Sequence, residues 1–376
     1  MADVNLSKAV RSNLSSLQTT ASMMSKTSDR LSTGNKVNSA LDNPTNFFTA
    51  SSLNSRAGDL NNLMDSMANG IKTIEAANNG LTAITKNLES MQSTLRQARQ
   101  DKSFATESYT ASLTAGVFAA SSTITFEGGA TGVAIGGTAI SIAVAGKTVD
   151  EAVDLINTAA EEGGTLAGAV RASNDNGKIR IENLSTGDLK VAGTTSVTTS
   201  TIDGNTVRAD LAEQYNELRD QLDKLADDAS FNGINLLRGD KLKITFNETG
   251  TSSIDVQAKD EESINSGNLA LETTLSKEDL DSDTDIDGFL DKVKTALNSV
   301  RSQSSAFGSN LSIVQNRQDF TKSMISTLET GAGNLTLADM NQEAANMMAL
   351  QTRQSLASST LSMANQADQG VLQLLR

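Results

Sequence analysis

The residue types that most often carry enzyme chemistry are missing from this chain of 376 residues, which has no histidine and no cysteine. Histidine is the commonest general base and metal ligand, and cysteine thiolates act as nucleophiles and bind metals. Catalysis would therefore depend on carboxylate pairs or on a serine–lysine pair. The 45 acidic residues are scattered over polar helix faces and form no convergent set. We predict no catalytic, cofactor-binding or metal-binding residues.

Two short motifs resemble ligand sites but lack an essential member. Gly146-Lys147-Thr148 resembles the end of a phosphate loop, yet that motif requires a glycine where Ser141 stands. The run from Asp283 to Gly288 resembles a calcium loop, but its twelfth position is Lys294 instead of a bidentate glutamate. We interpret the first as a strand-to-helix turn with a threonine N-cap and the second as acidic residues at a helix N-terminus.

Two other patterns have ordinary structural explanations. Arg238-Gly239-Asp240 matches an adhesion tripeptide, but it lies between a predicted turn and a predicted strand, where Gly-Asp is common. Several methionines suggest a soft-metal site, but at helical spacing we expect them to fill helix seams. These methionines are Met23, Met24, Met340, Met347 and Met348.

The overall composition limits the class of protein. The net charge of −14 argues against nucleic-acid binding, because phosphate contacts need a basic face. Hydrophobic residues make up 38% of the chain and aromatic residues 3%, so we expect no large compact core. No apolar run approaches the roughly 18 residues of a membrane span. Residues 1–20 lack the apolar stretch of a secretory signal peptide, so we expect neither a membrane span nor a cleaved signal.

The apolar residues instead follow the spacing of long helices. From Pro44, the only proline, to Lys102 they recur every three or four residues, which predicts one helix of roughly 85 Å. A second long helix is predicted from Ile286 to a break at Gly331 and Gly333. Helices of this length must pack against other long helices, in the same chain or in neighbouring chains. The two seams are Leu60, Leu63, Met67, Ile74, Ala77, Leu81, Ile84, Leu88, Met91 and Leu95, then Leu290, Val293, Leu297, Val300, Phe307, Leu311, Val314, Ile325 and Leu328.

Three shorter helices are predicted at residues 3–33, from Asp210 to a turn at Phe231-Asn232-Gly233, and at about 336–374. The first and last carry thin apolar stripes between Ser, Thr, Asn and Gln residues. Isolated helices of this kind are marginal in water, so we expect these ends to be disordered until partner helices cover them.

The segment between the first long helix and Asp210 has a different character. From about Thr106 to Asn205, Gly, Thr, Ser and Ala dominate, and short alternating runs predict strands. One helix opens at the capping box Thr148–Glu151 and buries Val149, Val153 and Ile156. A β-hairpin is predicted from Leu242–Phe246 and Ile254–Val256, followed by polar, irregular residues 257–285.

The predicted fold class is mainly α. Paired N- and C-terminal segments form a long antiparallel, coiled-coil-like helical frame, which carries an inserted small α+β domain and a β-hairpin. The predicted divisions are an inner helix (1–43), a long core helix (44–105), the insert (106–205), a second core helix with the hairpin (206–260), a C-terminal long helix (261–333) and a C-terminal inner helix (334–376).

Three separated motifs, in order, resemble the bacterial flagellin family. Residues 30–40, Arg-Leu-Ser-Thr-Gly-Asn-Lys-Val-Asn-Ser-Ala, are similar to its R-L-S-S-G-x-R-I-N-S-A segment. Residues 231–237, Phe-Asn-Gly-Ile-Asn-Leu-Leu, are similar to its F-N-G-x-x-L-L turn, and residues 369–376 to its Q-x-V-L-x-L-L-R end. Residues 43–48 resemble the α-proteobacterial variant. Within the insert, Ile156-Asn157 and its surroundings resemble the flagellin IN module.

The resemblance implies a structural subunit that polymerises into the flagellar filament for swimming motility. Terminal helices of neighbouring subunits would form the filament core, and the insert would face solvent outside the cell. The implied partners are further copies of the chain, hook-associated junction and cap proteins, an export chaperone at the C-terminal helix, and the flagellar type III export apparatus. No nucleic-acid partner and no membrane insertion are expected.

Alternative functions use the same sequence features differently. A flagellin-like junction protein between hook and filament would share the terminal helices, and a secreted surface adhesin would use the insert as its binding part. An enzyme in the insert is a remote third hypothesis.

Residues 95–101 occupy the position that an animal innate receptor recognises in the family. Because Gln97, Gln100 and Asp101 depart from the family's L-Q-R-V-R-E-L, we expect weak or no receptor activation.

Overall fold

A computed structural model describes residues 8–128, 139–161, 166, 168–194, 198–271 and 274–374. Residues 3–7 of the first predicted helix and Leu375 and Arg376 of the last motif lie outside the described residues. In the described ranges the helices are α1 (Lys8–Thr33), α2 (Pro44–Gln100), α3 (Val149–Ala160), α4 (Thr206–Asp228), α5 (Asp283–Thr336) and α6 (Met340–Leu374). Short 3₁₀ helices cover Leu236–Arg238, Lys259–Glu261 and Lys277–Leu280.

The described strands lie mainly between α2 and α4. They are β1 (Thr106–Thr110), β2 (Leu113–Thr114), β3 (Val117–Phe118), β4 (Thr123–Gly128), β5 (Ile140–Ala143), β6 (Val170–Asp175), β7 (Lys178–Asn183), β8 (Leu189–Gly193) and β9 (Ser200–Ile202). After α4, β10 (Leu242–Thr245) and β11 (Ser253–Val256) form the predicted two-stranded hairpin.

Contacts divide the chain into two compact units, and α2 and α5 contribute residues to both. The terminal unit comprises Met1–Ala68, Thr245–Ser253 and Asn316–Arg376. The central unit comprises Asn69–Ile244 and Ile254–Gln315.

In the terminal unit, α1 packs along α6, and the start of α2 packs on the end of α5. A small apolar cluster joins the second pair, which includes Leu60 of α2 and Leu328 of α5. Gly34, with φ of +73°, terminates α1 in the left-handed conformation that glycine adopts at low cost. Pro44 opens α2, where its missing N–H and fixed φ suit the first helical position.

The helical part of the central unit buries the predicted seams. The seam residues of α2 in this unit are fully buried, and five of the seven seam residues of α5 are buried, whereas Leu290 and Leu311 are partly buried. The three-and-four spacing is thus confirmed as core packing. Tyr215 of α4, 1% exposed, joins the same layer of helices. The most completely buried members are Ile74, Ala77, Leu81, Ile84, Leu88, Met91, Leu95, Leu222, Val293, Val300, Phe307 and Val314.

In the described residues, the insert contains a three-stranded and a four-stranded antiparallel sheet around one apolar core, and a short two-stranded sheet of β2 and β3. The three-stranded sheet has the order β1-β7-β6, and the four-stranded sheet has the order β5-β4-β8-β9. Helix α3 packs on β6 and β7 and buries Val149, Val153 and Ile156 as predicted. Phe126 and Ile181 come from the two sheets and are both fully buried in this core.

The mainly α fold class with an inserted α+β region and a hairpin is confirmed. Two predicted helix limits were wrong. Helix α5 continues through Gly331 and Gly333 to Thr336, because burial of Leu328 and Ala332 on the same turns offsets the roughly 1 kcal/mol that each glycine costs. Helix α4 begins at Thr206, four residues before the predicted start, where the side chain of Asn205 accepts the Arg208 N–H as an N-cap. No described helix has the length and apolar character needed to cross a membrane.

Candidate assembly surface

The turn after α1 and the turn after α5 are hydrogen-bonded to each other. The Lys36 N–H donates to the Thr336 carbonyl at 2.7 Å, and the Ala338 N–H donates to the Gly34 carbonyl at 2.9 Å. The Lys36 ammonium also donates to the Asn334 carbonyl at 2.9 Å. These bonds use backbone groups that the helix ends would otherwise leave unpaired. They lie where α1 ends and just before α6 begins. The motif at residues 30–40 therefore forms a clamp between the two ends of the chain.

An ion pair reinforces this clamp. Arg30, in the last turn of α1, donates to the Glu343 carboxylate, in the first turn of α6, at 3.1 Å. A cation at a helix C-terminus and an anion at a helix N-terminus each complement the helix dipole. The Glu343 side chain is 10% exposed, so solvent screens this pair less than an ordinary surface pair. The two residues are 313 positions apart.

The connection between α1 and α2 is ordered by its own polar side chains. The Asp42 carboxylate accepts the backbone N–H groups of Asn38 and Ser39, each at 3.1 Å. These bonds favour the ionised carboxylate and hold the pKa of Asp42 below its ordinary value. The Asn43 side chain accepts the Asn46 N–H at 3.1 Å, which caps the start of α2.

Although its turns are well ordered, the terminal unit leaves many large apolar side chains in solvent. Leu41 is 96% exposed, Met348 65% and Leu356 61%. A concentration of large exposed apolar side chains in one unit, two of which line a shared groove, favours an interaction surface there. We call this set the apolar surface of the terminal unit. Its members are Leu14, Met23, Leu41, Phe48, Phe320, Leu337, Met340, Met348, Leu356 and Met363.

Three of the five methionines predicted to fill helix seams are largely exposed in the single chain. Met23, Met340 and Met348 are each close to half exposed or more, whereas Met24 and Met347 are partly buried. Helices α1 and α6 pack mainly on each other. A groove of about 650 Å³ between these helices has Met23 and Leu356 at its edge. The Arg353 guanidinium also lines it, with no hydrogen-bond or ion-pair partner among the described residues. The seam is therefore incomplete in the single chain.

In the central unit, the motif at residues 231–237 forms a tight turn that caps α4. Asn232 and Gly233 both have positive φ, +51° and +80°, as a type I′ turn requires. The Asn235 amide donates to the carbonyls of Ala226 and Asp227 at the end of α4, at 2.8 and 2.9 Å. The buried Leu237 N–H in turn donates to the Asn235 side chain at 2.9 Å. These bonds give the motif a structural role at the end of α4.

A residue that the sequence interpretation missed, in the first turn of α4, joins the end of α2 to the start of α5 in the central unit. Arg208 is 1% exposed and donates to the carbonyls of Leu280 and Asp281, both at 2.9 Å, and to the Asp101 carbonyl at 3.2 Å. It also donates to the Asp283 carboxylate at 2.8 Å. The only sequence signal that Arg208 is buried is its position, three residues before Leu211 on an apolar seam.

Asp281 lies beside this buried arginine. Its carboxylate accepts the Thr186 N–H at 2.7 Å. Burial raises the pKa of Asp281 to about 6, against the opposing effects of this hydrogen bond and of the Arg208 charge. Among the described carboxyl groups around Arg208, Asp281 is therefore the one that titrates near neutral pH.

The raised pKa of Asp281 predicts a pH-dependent stability. Between the unfolded pKa of 3.8 and the folded pKa of about 6, the folded chain binds more protons, so the free energy of unfolding falls as pH rises. The decrease from this group is up to about 3 kcal/mol. Asp281→Asn should therefore raise the free energy of unfolding at pH 7 relative to wild type, but not at pH 4, in urea titrations. An equal effect at both pH values would contradict the assignment.

The motifs that resembled ligand sites have structural roles. Thr148 caps α3 in a capping box with Glu151, as predicted. Asp283 and Asp285 lie in the first turn of α5, and Asp283 pairs with Lys102 at 2.7 Å. Arg238 pairs with Asp227. No group of three or more acidic residues is arranged to hold a metal ion within the described ranges.

The segment at residues 95–101 is the end of a packed helix. Leu95 is fully buried, and Arg99 forms an ion pair with Asp287 at 2.7 Å. Gln97 and Gln100 lie on the exposed face. Weak or absent receptor activation stays a prediction.

Two family models match the chain. The bacterial flagellin N-terminal helical region matches residues 4–116, and the bacterial flagellin C-terminal helical region matches residues 290–375. Together these segments make up more than half of the chain, and they contain α1, α2, α6 and most of α5.

Curated relatives come from two α-proteobacteria, as residues 43–48 predicted. Flagellin FljK of Caulobacter vibrioides is 32% identical over 168 residues, 44% of this chain and 59% of the relative. Flagellin FljO of the same species is 31% identical over 189 residues, 50% of this chain and 65% of the relative. Flagellin A of Rhizobium meliloti is 37% identical over 91 residues, 24% of this chain and 23% of the relative.

The matches to the two Caulobacter relatives thus span about three fifths of those proteins' lengths. The N-terminal family region precedes the C-terminal one in the chain, as the sequence motifs do. The ion pair between Arg30 of α1 and Glu343 of α6 joins the two regions within the terminal unit. The chain belongs to the bacterial flagellin family.

Proposed function

We propose that this chain is a repeating structural subunit of the bacterial flagellar filament and serves swimming motility outside the cell. The observation that carries the proposal is the apolar surface of the terminal unit. Its members concentrate on the helices and turns that correspond to the two family regions. A structural role, without catalysis, fits a family whose members are structural proteins.

Burial of the apolar surface between copies would drive assembly. Each Leu, Met or Phe side chain removed from water contributes about 1.5–3 kcal/mol. A head-to-tail contact between different surfaces of identical subunits does not close on itself and gives an open helical fibre. Copies that align α1 and α6 side by side would supply the apolar partners that a single chain lacks.

The insert is proposed to face solvent as a separate surface domain. Its core is complete within the chain, since Phe118, Phe126 and Ile156 are all 2% exposed or less. The boundaries at 106 and 205, and the likeness of this domain to the flagellin IN module, are part of the proposal. So are the inner-helix assignments for 1–43 and 334–376.

The partners outside the filament follow from the family alone. We propose hook-associated junction and cap proteins at the two filament ends, an export chaperone on the C-terminal helix, and export through the flagellar type III apparatus. A chaperone fits the exposed apolar side chains of α6, among them Met348 and Met363, which would otherwise associate inside the cell. Export without a cleaved signal peptide stays a prediction.

Hydrogen exchange tests the proposal. The amides of α1 and α6 should exchange quickly in the monomer, because each helix has one partner only, and become strongly protected in the polymer. The buried centre of α2, around Leu88, should be protected in both forms and is the internal control. Equal protection of α1 and α6 in monomer and polymer would contradict burial of the terminal helices on assembly.

A further inference from the structure

The chain contains four Asn-Gly pairs in three different backbone settings. Asn69-Gly70 and Asn79-Gly80 lie within helix α2, Asn176-Gly177 in the turn between β6 and β7, and Asn232-Gly233 in the turn after α4. All four asparagines are exposed. Differences in their chemistry must therefore come from the backbone and its hydrogen bonds and not from access of water.

Asn-Gly is the sequence most prone to spontaneous deamidation, because glycine places no side chain in the path of the reaction. The backbone nitrogen of the glycine attacks the side-chain carbonyl carbon of the asparagine. The glycine nitrogen loses its proton to base, ammonia leaves, and a five-membered succinimide forms. Water then opens the ring at either carbonyl, which gives aspartate or isoaspartate. One water is consumed and one ammonia is released for each asparagine converted.

The attacking nitrogen is free at only one of the four described pairs. The Gly70 and Gly80 N–H groups belong to the hydrogen-bond ladder of α2. The Gly177 N–H donates to the Asn174 side chain at 2.8 Å. The Gly233 N–H has no hydrogen-bond partner among the described residues, since the turn is closed by the bonds between Phe231 and Ile234 on either side.

The space around Asn232-Gly233 also permits the reaction. No atom lies within 4 Å of the point where a β-carbon on Gly233 would stand, and the same is true of Gly177, so the hydrogen bond of Gly177 is what separates these two pairs. The two helical pairs are enclosed, with an Ile244 side-chain carbon 2.5 Å from the corresponding point on Gly70 and the Ala229 methyl 2.6 Å from that on Gly80.

We propose that Asn232 is a site of spontaneous deamidation in the folded chain, and that the other three pairs are protected by their backbone hydrogen bonds. Conversion would add a negative charge four residues before the start of the buried 3₁₀ turn. In the isoaspartate form it would also lengthen the backbone between Phe231 and Ile234. The Asn235 cap at the end of α4 lies directly beyond, so the modification would loosen this end of the helix with age.

Mass spectrometry of the full chain tests the proposal. The purified protein is incubated at pH 8 and 37 °C, and tryptic peptides are assayed for the mass change and for isoaspartate at each pair. Asn232 should react fastest, roughly fivefold faster than Asn176, the factor that corresponds to one ordinary net hydrogen bond. Asn79 should not react detectably in the same period. Equal rates at Asn232 and Asn176, or a faster rate at Asn176, would overturn the proposal.

Two controls separate the effect of the fold from that of the sequence. In urea, all four pairs should react at similar rates, because each has the same Asn-Gly chemistry once unfolded. Asn174→Ala removes the acceptor of the Gly177 N–H and should raise the rate at Asn176 toward that at Asn232 while leaving Asn232 unchanged. If the order of rates in urea matched that in the folded chain, or if Asn174→Ala had no effect at Asn176, protection by these hydrogen bonds would be refuted.

Discussion

Replacement of Leu356 and Met363 by glutamate is expected to prevent filament formation while leaving the monomer folded. The two side chains are seven residues apart on α6, so they share one helix face, and they are 61% and 59% exposed. If both are buried between copies, the variant loses about 3–6 kcal/mol of apolar burial per subunit, before any cost of burying two carboxylates. The critical concentration for assembly should rise more than about 100-fold.

The matched control adds the same charge to the insert. Leu155→Glu with Thr201→Glu replaces an exposed leucine of α3 and an exposed threonine of β9, and the proposal places both in solvent in the filament. Sedimentation after seeding should show a normal critical concentration for the control pair. In both variants the free energy of unfolding of the monomer should stay within about 0.5 kcal/mol of wild type. Normal assembly of the α6 variant would exclude this face of α6 from the filament contacts.

Gly80→Ala is expected to destabilise the central unit by about 1–3 kcal/mol, although alanine is the better helix former. A β-carbon on Gly80 would stand 2.6 Å from the Ala229 methyl and 2.9 Å from a methyl carbon of Leu237. Both neighbours belong to the segment from the end of α4 into the buried 3₁₀ turn, which must move away to make room. Closely packed interiors resist such movement.

Gly308→Ala is the control for helix propensity. Gly308 lies within α5 in the same unit, is exposed, and has no atom within 4 Å of the corresponding point. Alanine there should raise the free energy of unfolding by about 0.5–1 kcal/mol. Opposite signs for the two substitutions in urea unfolding would show that close approach, and not propensity, fixes Gly80. A stabilising Gly80→Ala would contradict the packing.

The sequence was sufficient for the elements whose signal is local. The heptad seam of α2 appears in the chain as a spacing of three and four, and burial of Leu81, Ile84 and Leu88 follows from it. The capping box that starts α3 needs only Thr148 and Glu151, three residues apart. The apolar core of the insert follows from strand alternation.

Contacts between distant segments left no comparable signal. Nothing in the local sequence pairs Arg30 with Glu343 across most of the chain, or shows that Gly80 meets Ala229. Gly331 and Gly333 read as a helix break because propensity is local, whereas the packing that carries α5 past them is tertiary. Arg208 was overlooked because its partners are mainly backbone carbonyls. Every residue carries a backbone carbonyl, so no residue type in the sequence points to these contacts.

Sequence and structure together define the apolar surface of the terminal unit. The thin stripes of α1 and α6 predict helices that need partners, and the structure identifies which side chains lack them, among them Leu14, Met348 and Leu356. The ordered turns beside them, held by the Asp42 and Glu343 carboxylates, indicate that the exposure belongs to a defined surface.

The central claim is that the terminal helices drive assembly, and seeded filament growth followed by negative-stain electron microscopy tests it most directly. The full chain is compared with a truncation that lacks residues 1–30 and 345–376 and so loses most of α1 and α6, with short filament seeds added to both. The account predicts long filaments from the full chain and none from the truncation, whose central unit should remain folded by circular dichroism. Filaments from the truncated chain, or a full chain that stays monomeric with seeds, would contradict it.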